Sequence, residues 1–415
     1  MAQSFTRRNS VVDIAFADSM GIDAFQRLRV STPTYIFDAQ QTYDLQPLLF
    51  EQVTAGSGAT VTHDSTNRQA LMTFASTPTG GKAFMQSYEH FRYQPGRCQQ
   101  IFISGNLGAT VANVVKFMGY SDGSNGIEVQ RTGTADQIVL YSDSGVGDQT
   151  VVQADWNIDP LDGTGPSGLT LDLTKQQLVV IDLQALYSGR VRVGFDIDGQ
   201  TALVHQFTDA NVFSSPYFQT ANLPIRVGMT CTGTVSATMN FTCCSVVSEG
   251  GLAPREAEGF TFAAEGTVTA SSGARTHILS VRPKTTFNSI VNRSKFIPET
   301  LTMLVTGVNP VLWELCLGQA ISGTTAFNDV NATYSGFEYN TAGTISGSPA
   351  IVIASGYVGA SATANGAVQT ELVSRFPITL DVAGAVRALG TLSVIVTGIG
   401  GTSATRSSLN WRELR

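Results

Sequence analysis

"GRVRVGFDIDGQTALVHQF", residues 189–207, decides the fold class. Val191, Val193, Phe195 and Ile197 alternate with Arg192, Gly194 and Asp196. A period of two marks a β-strand with one buried face. Asp198-Gly199 then supplies the two positive-φ residues of a type I′ turn, and "TALVHQF" returns as the partner strand. The stretch predicts a hairpin, with His205 as a cross-strand residue at the surface.

The same grammar extends in both directions. "QIFISGNLG" (100–108), "ANVVKFMGYSDGSNGIEVQRTG" (112–133) and "QIVLYSDSG" (137–145) alternate apolar and polar residues between Gly, Asn and Asp turns. "QLVVIDLQAL" (177–186) is a mostly apolar run that fits a strand leading into a turn. Beyond residue 260, segments such as "ETLTMLVTG", "VLWELCLGQ" and "TLSVIVTGIGG" repeat the pattern about every ten residues. The expectation is an all-β chain of two β-sandwich or jelly-roll domains, residues 41–250 and 260–415. The charged, Gly- and Pro-bearing stretch 251–259 is the expected linker. Residues 1–40 read as an extended N-terminal arm, with a short helix or strand at 11–20.

Composition narrows the function classes. Charged residues are 14% of the 415, well below the usual quarter. Low charge with 41 glycines suits β-proteins that assemble with neighbouring copies. The net charge of −7 disfavours nucleic acid as a partner. The five cysteines, Cys98, Cys231, Cys243, Cys244 and Cys316, have neither a disulfide framework nor metal-site spacing. They are expected as buried free thiols, made in a reducing compartment. No basic-then-apolar leader and no run of about 20 apolar residues is present, so neither secretion by the usual route nor membrane insertion is expected.

Motifs for chemistry are sparse. The sequence has four histidines and lacks HExxH, GxSxG and the Walker lysine. In "DWNIDPLDGTGPSG" (155–168), Asp155, Asn157, Asp159 and Asp162 form a candidate calcium set. Pro160 stands where an EF-hand loop has glycine and no glutamate closes the set, so a turn with backbone-capping carboxylates fits better. Trp156 on this loop is the candidate glycan contact, whereas Trp313 belongs to a core strand. Glu128, Asp172, Asp182 and Asp196 lie on strand-like stretches, but nothing in the spacing pairs them for glycoside hydrolysis. No catalytic residue and no cofactor is assigned, and the chain is not expected to be an enzyme.

The arm has its own signature. "DAFQRLRVSTPTYIFDAQQ" (23–41) resembles an N-terminal motif, roughly D-A-F-G-R-L-R-V-S-x-P, of structural proteins of tailed bacteriophages. The blocks at 155–177, 189–200, 222–227 and 278–293 resemble further parts of the same family, in order. Gln26 stands where the family has glycine. The middle region also resembles a concanavalin- or laminin-G-type jelly roll. The resemblance implies a multimeric virion component, made in the host cytoplasm, in the tail or an appendage. Capsid decoration, a head fibre, or a module for host surface glycan are the alternatives. It implies partners among copies of the chain and other virion proteins.

An arm of about 20 ordered residues costs on the order of 20–40 kcal/mol in backbone entropy. Offsetting that by apolar burial alone takes about 800–1,600 Å². A neighbouring subunit is one source of such surface, and Phe25, Arg27, Arg29 and Phe37 are the expected anchors of subunit contacts.

Overall fold

The computed structural model describes residues 5–8, 11–14, 21–24, 28–30, 32–184, 188–249, 259–323, 326–349, 351–372 and 378–415. It is an all-β protein, as the periodicity predicts. The helical element among the described residues is a single 3-10 turn, Gln153–Asp155. The chain divides into two compact units, Met1–Ala253 and Pro254–Arg415. Most of the stretch expected as linker lies outside the described residues.

The first unit is a sandwich of two antiparallel sheets. The seven-stranded sheet runs in the order Gln149–Val152, Asp136–Tyr141, Gly126–Arg131, Val114–Ser121, Ile225–Cys231, Lys82–Ser87 and Phe50–Ala55. The eight-stranded sheet runs Gln200–Phe207, Val191–Ile197, Gln177–Leu183, Gln99–Asn106, Val235–Ser248, Gln69–Thr77 and Ala59–Asp64. Its eighth strand, Thr34–Gln40, pairs with the C-terminal half of Val235–Ser248. The alternation seen in the sequence places Ile101, Ile103, Val179, Ile181, Val191, Val193 and Phe195 between the sheets with Met118, Tyr120, Ile127 and Val227.

The hairpin forms as read. Ile197 lies opposite Gln200, and Asp198 and Gly199 take φ of +54° and +77°. Two details differ. A bulge between Val193 and Gly194 shifts the register, and His205 is buried rather than a surface residue. Arg192, read as facing solvent, is fully buried. Alternation separates the faces of a strand, but it does not say whether a later layer covers the second face.

The arm also differs. Residues 34–40, expected as arm, form a strand of the sandwich, with Phe37 and Ala39 in its core. Phe5–Arg8 and Val11–Ile14 pair as a small antiparallel ribbon.

The second unit has a four-stranded sheet, in the order Phe260–Ala270, Ser403–Leu414, Lys295–Val305 and Gly366–Glu371. Its six-stranded sheet runs Asn328–Asp329, Phe337–Asn340, Thr276–Pro283, Leu392–Gly398, Val311–Leu317 and Ile351–Val358. A separate core built on Trp313, Leu315, Val394, Leu409 and Trp411 joins the two sheets. Trp313 is thus a core residue, as read. All five cysteines are free thiols, four of them buried and Cys243 half-buried. No helix among the described residues is long and apolar enough to cross a membrane.

Candidate functional site: a groove beside the N-terminal strand

The outer face of the eight-stranded sheet carries the site. Cross-strand register sets its side chains in rows. Gln40, Cys243, Ser104 and Leu178 form one row, and Asp38, Ser245, Phe102 and Val180 form the next. Over these rows lies a groove of about 550 Å³, within the range of small-ligand sites. Phe102 and Leu178 contribute apolar floor, and Tyr35, Asp38, Gln40 and Arg68 stand along one side. Tyr35, which lines the groove, is 65% exposed.

The floor is held by a polar clamp. Thr242 Oγ1 donates to the Ser104 carbonyl at 2.8 Å, and Gln176 Nε2 donates to Thr242 Oγ1 at 2.8 Å. Burial pushes the Cys243 thiol up, so it stays protonated near neutral pH. The groove therefore presents an aromatic ring, a carboxylate, an amide and a guanidinium around an apolar floor. That set both donates to and accepts from hydroxyl groups.

The other end of the same face is closed by the N-terminal segment. Here the row is Tyr35, Val247, Gln100, Asp182 and Arg192. Ile22 forms an antiparallel bridge with Leu28. Arg192 Nη2 donates to the Ile22 carbonyl at 2.9 Å, and Arg190 Nη2 to the Ala24 carbonyl at 3.1 Å. Arg29 Nη2 donates to Asp182 Oδ2 at 2.7 Å, and its Nε pairs with Glu249 Oε1 at 3.2 Å. Arg192 Nε also reaches Asp182 Oδ2, at 3.0 Å. Ile22, Asp23 and Ala24 are buried beneath.

This arrangement corrects the expected anchors. Arg29 meets acids of its own chain, and Phe37 packs in its own core, 4.7 Å from Phe91 between ring centroids. Both side chains are largely enclosed by their own chain. Phe25 and Arg27 lie outside the described residues. Asp23, Cys98 and Glu249 bring potential ligand atoms within 4.8 Å of one another. Arg29 and Arg192 supply positive charge at Glu249, which opposes the rise that burial gives its carboxyl. The same charge opposes a bound cation.

In the 155–168 loop Asp159 and Asp162 cap backbone N–H groups. Asp159 is buried and accepts from the Leu161 and Ser167 N–H groups at 2.9 and 2.8 Å. Asp162 accepts from Thr164 N–H and Oγ1, which lowers its pKa. Asn157 exchanges two hydrogen bonds with the Gln206 backbone. Asp155 is exposed. Trp156, the expected glycan contact, is only 5% exposed and stacks on Phe195 in the core. An amphipathic ring beside four polar residues read as surface, whereas the loop folds it inward.

The carboxylates stay apart. Asp172 and Asp196 each spend an oxygen on their own turn, and Asp182 belongs to the arginine knot. Glu128 sits on the outer face of the other sheet, fully buried, accepting from Ser121 Oγ at 2.9 Å and Gln130 Nε2 at 2.8 Å. Burial raises its pKa, and Arg226 opposes the rise. Gly119 leaves the room in which Glu128 lies, since a Cβ there would come within 2.8 Å of Glu128 Cγ. Sequence reading singled out Glu128 but missed Tyr35, Asp38 and Arg68. Tyr35 and Asp38 are three positions apart, and a bulge in the pairing with Val246 and Val247 puts both on one face, which alternation does not signal.

No protein-family model matches the chain, and no curated protein is similar to it. Solved structures with a similar arrangement include the cellulose induced protein Cip1, at 15% identity and a TM-score of 0.33, over 51% of this chain and 96% of that one. A carbohydrate esterase, vb_24B_21, from Shiga toxin-encoding bacteriophage phi24B, is 14% identical with a TM-score of 0.34, over 53% and 100%. Bacillus licheniformis β-glucanase is 15% identical with a TM-score of 0.33, over 52% and 98%. These similarities are to a fold and assign no activity to this chain. They do overturn the expectation that the chain is not an enzyme, because glucanases stand among the similar structures.

Proposed function

We propose that the first unit is a carbohydrate-binding jelly roll and that the groove beside Thr34–Gln40 is its site. One observation carries this reading. An open groove of about 550 Å³ combines an exposed Tyr35 ring with an apolar floor and hydroxyl-matching side chains. A sugar ring offers an apolar face and a rim of hydroxyls, and the groove offers a counterpart to each. The finer reading is a component of a tailed-phage particle that contacts host surface glycan. Its support is the resemblance of residues 23–41 and the later blocks to phage structural proteins.

The test is a glycan array followed by titration of the best ligand against three proteins. Wild type is expected to bind, and Tyr35→Ala and Asp38→Asn to weaken binding at least tenfold, about 1.4 kcal/mol. Both side chains are exposed, so melting temperatures are expected to stay within about 2 °C of wild type. Silence across the array, or full affinity in both variants, would remove the groove as a site. Reducing ends assayed in the same samples report whether bound polysaccharide is also cleaved.

A further inference from the structure

Arg68 is an unexpected residue at its place in the groove. It ends the turn between Ala59–Asp64 and Gln69–Thr77, with a φ of +57°. Residues with a Cβ are uncommon in that left-handed region, and glycine takes it more readily. The turn itself does not call for an arginine. Asp64 holds it, accepting from the Thr66 and Asn67 N–H groups at 3.0 and 3.2 Å and from Asn67 Nδ2 at 2.7 Å. The Arg68 side chain lines the groove instead. Its guanidinium also lacks an acid. Arg29, Arg131 and Arg226 of the same unit reach carboxylates at 2.7, 2.8 and 3.4 Å. Arg68 reaches none among the described residues, and its hydrogen bond is a long one, from Nη1 to the Thr42 carbonyl at 3.4 Å.

Strand register sets the order of groups along the groove. Thr42 follows Thr34–Gln40, so Arg68 stands at the Gln40 end. Gln40 lies opposite Cys243, Asp38 opposite Ser245 and Tyr35 opposite Val247. From Cys243 to Val247 the strand advances roughly 13 Å, more than the width of one sugar ring. The guanidinium and the exposed ring therefore stand at opposite ends, with Gln40 and Asp38 between them.

Resting on the reading of this groove as a carbohydrate site, we infer that its ligand is an acidic oligosaccharide and that Arg68 sets this specificity. Arg68 binds the carboxylate of one sugar residue, a hexuronate or a sialic acid, in the forked geometry that guanidinium and carboxylate share. The apolar face of another residue stacks on Tyr35. Asp38 and Gln40 take hydroxyls between the two. Asp38 lies two residues along the strand from Gln40, so the ligand carboxylate at Arg68 does not face it. A neutral sugar laid over Arg68 would take hydration from the guanidinium and return no charge to it. An arginine kept where glycine fits the backbone, and given no acid by its own chain, is accounted for by an acid that arrives with the ligand.

The test arrays hexuronate oligomers and sialylated oligosaccharides beside the same compounds with each carboxyl reduced to an alcohol. The best acidic binder and its reduced form are then titrated against the full chain. The acidic form is expected to bind at least tenfold tighter, as a charge-assisted pair allows. The class that binds distinguishes a uronate from a sialic acid. Arg68→Gly is expected to abolish the preference while keeping the wild-type melting temperature, because glycine accepts the same φ. Tyr35→Ala is expected to weaken both forms alike. Equal affinity of the unaltered protein for both forms would overturn the inference, and this readout needs no variant. So would a preference that folded Arg68→Gly retains. If the reduced form binds as well as the acidic one and still depends on Tyr35, the acidic specificity falls and the groove reading stands. If neither form of any compound binds, both fall.

Discussion

His205 shows how a single residue ties two distant stretches to pH. Burial lowers its pKa from 6.5 to about 4. Its Nδ1 accepts the Asn157 N–H at 3.2 Å, which also requires the neutral ring. In the unfolded chain the ring takes a proton near pH 6.5, whereas in the fold it does so only near pH 4. The unfolded state therefore binds more protons between those values, and stability is lost as pH falls through that window. The full loss amounts to about 3 kcal/mol. Urea unfolding followed from pH 7 to pH 4 is expected to show this decline, and His205→Gln to flatten it. A variant as pH-sensitive as wild type would assign the decline to the carboxylates instead. Lys116 is perturbed similarly: burial, with Arg131 nearby, lowers its pKa to about 8 although Nζ donates to the Ala109 and Thr238 carbonyls at 2.8 Å each.

At the scale of an element, the N-terminal segment is the instructive one. Its order comes from charge as much as from apolar burial. Asp182 is the hub: its Oδ2 receives Arg29 from the segment and Arg192 from the neighbouring strand. Removing one partner of a buried ion pair leaves the other charge uncompensated, at a cost of about 3–5 kcal/mol. Asp182→Ala is expected to lose that much in chemical denaturation and to expose residues 21–30 to limited proteolysis. Arg29→Ala, whose side chain is partly exposed, is expected to lose about 1 kcal/mol or less. Equal losses in the two variants would mean that Arg192 does not depend on Asp182. The hairpin at 191–207 is the contrasting element. Asp198 and Gly199 set it locally, because the two-residue turn needs positive φ at both positions.

For the whole molecule, the two separate cores have a thermodynamic consequence. Phe195, Tyr120 and Phe241 belong to one and Trp411, Trp313 and Phe337 to the other. Each unit buries its own apolar residues, so each is expected to unfold as its own cooperative step. Calorimetry of the full chain is expected to resolve two transitions, and a fragment of residues 259–415 to reproduce one of them. A fragment without cooperative unfolding would show that the second unit depends on the first.

The sequence alone determined the all-β class, the hairpin, the core positions and the capping role of the 155–168 loop. All of these follow from spacing within about 20 residues, where strand alternation and turn chemistry act. It did not determine which second faces are covered. Arg192 and His205 alternate like surface residues, and Trp156 sits among polar neighbours, yet all three are buried by segments distant in the chain or by an inward fold of their own loop. Nor did it place Tyr35 and Asp38 beside Phe102 and Leu178, which lie more than 60 positions further along. Those contacts come from the order of strands within a sheet, and that order minimises exposed apolar area over the whole unit rather than within any one stretch.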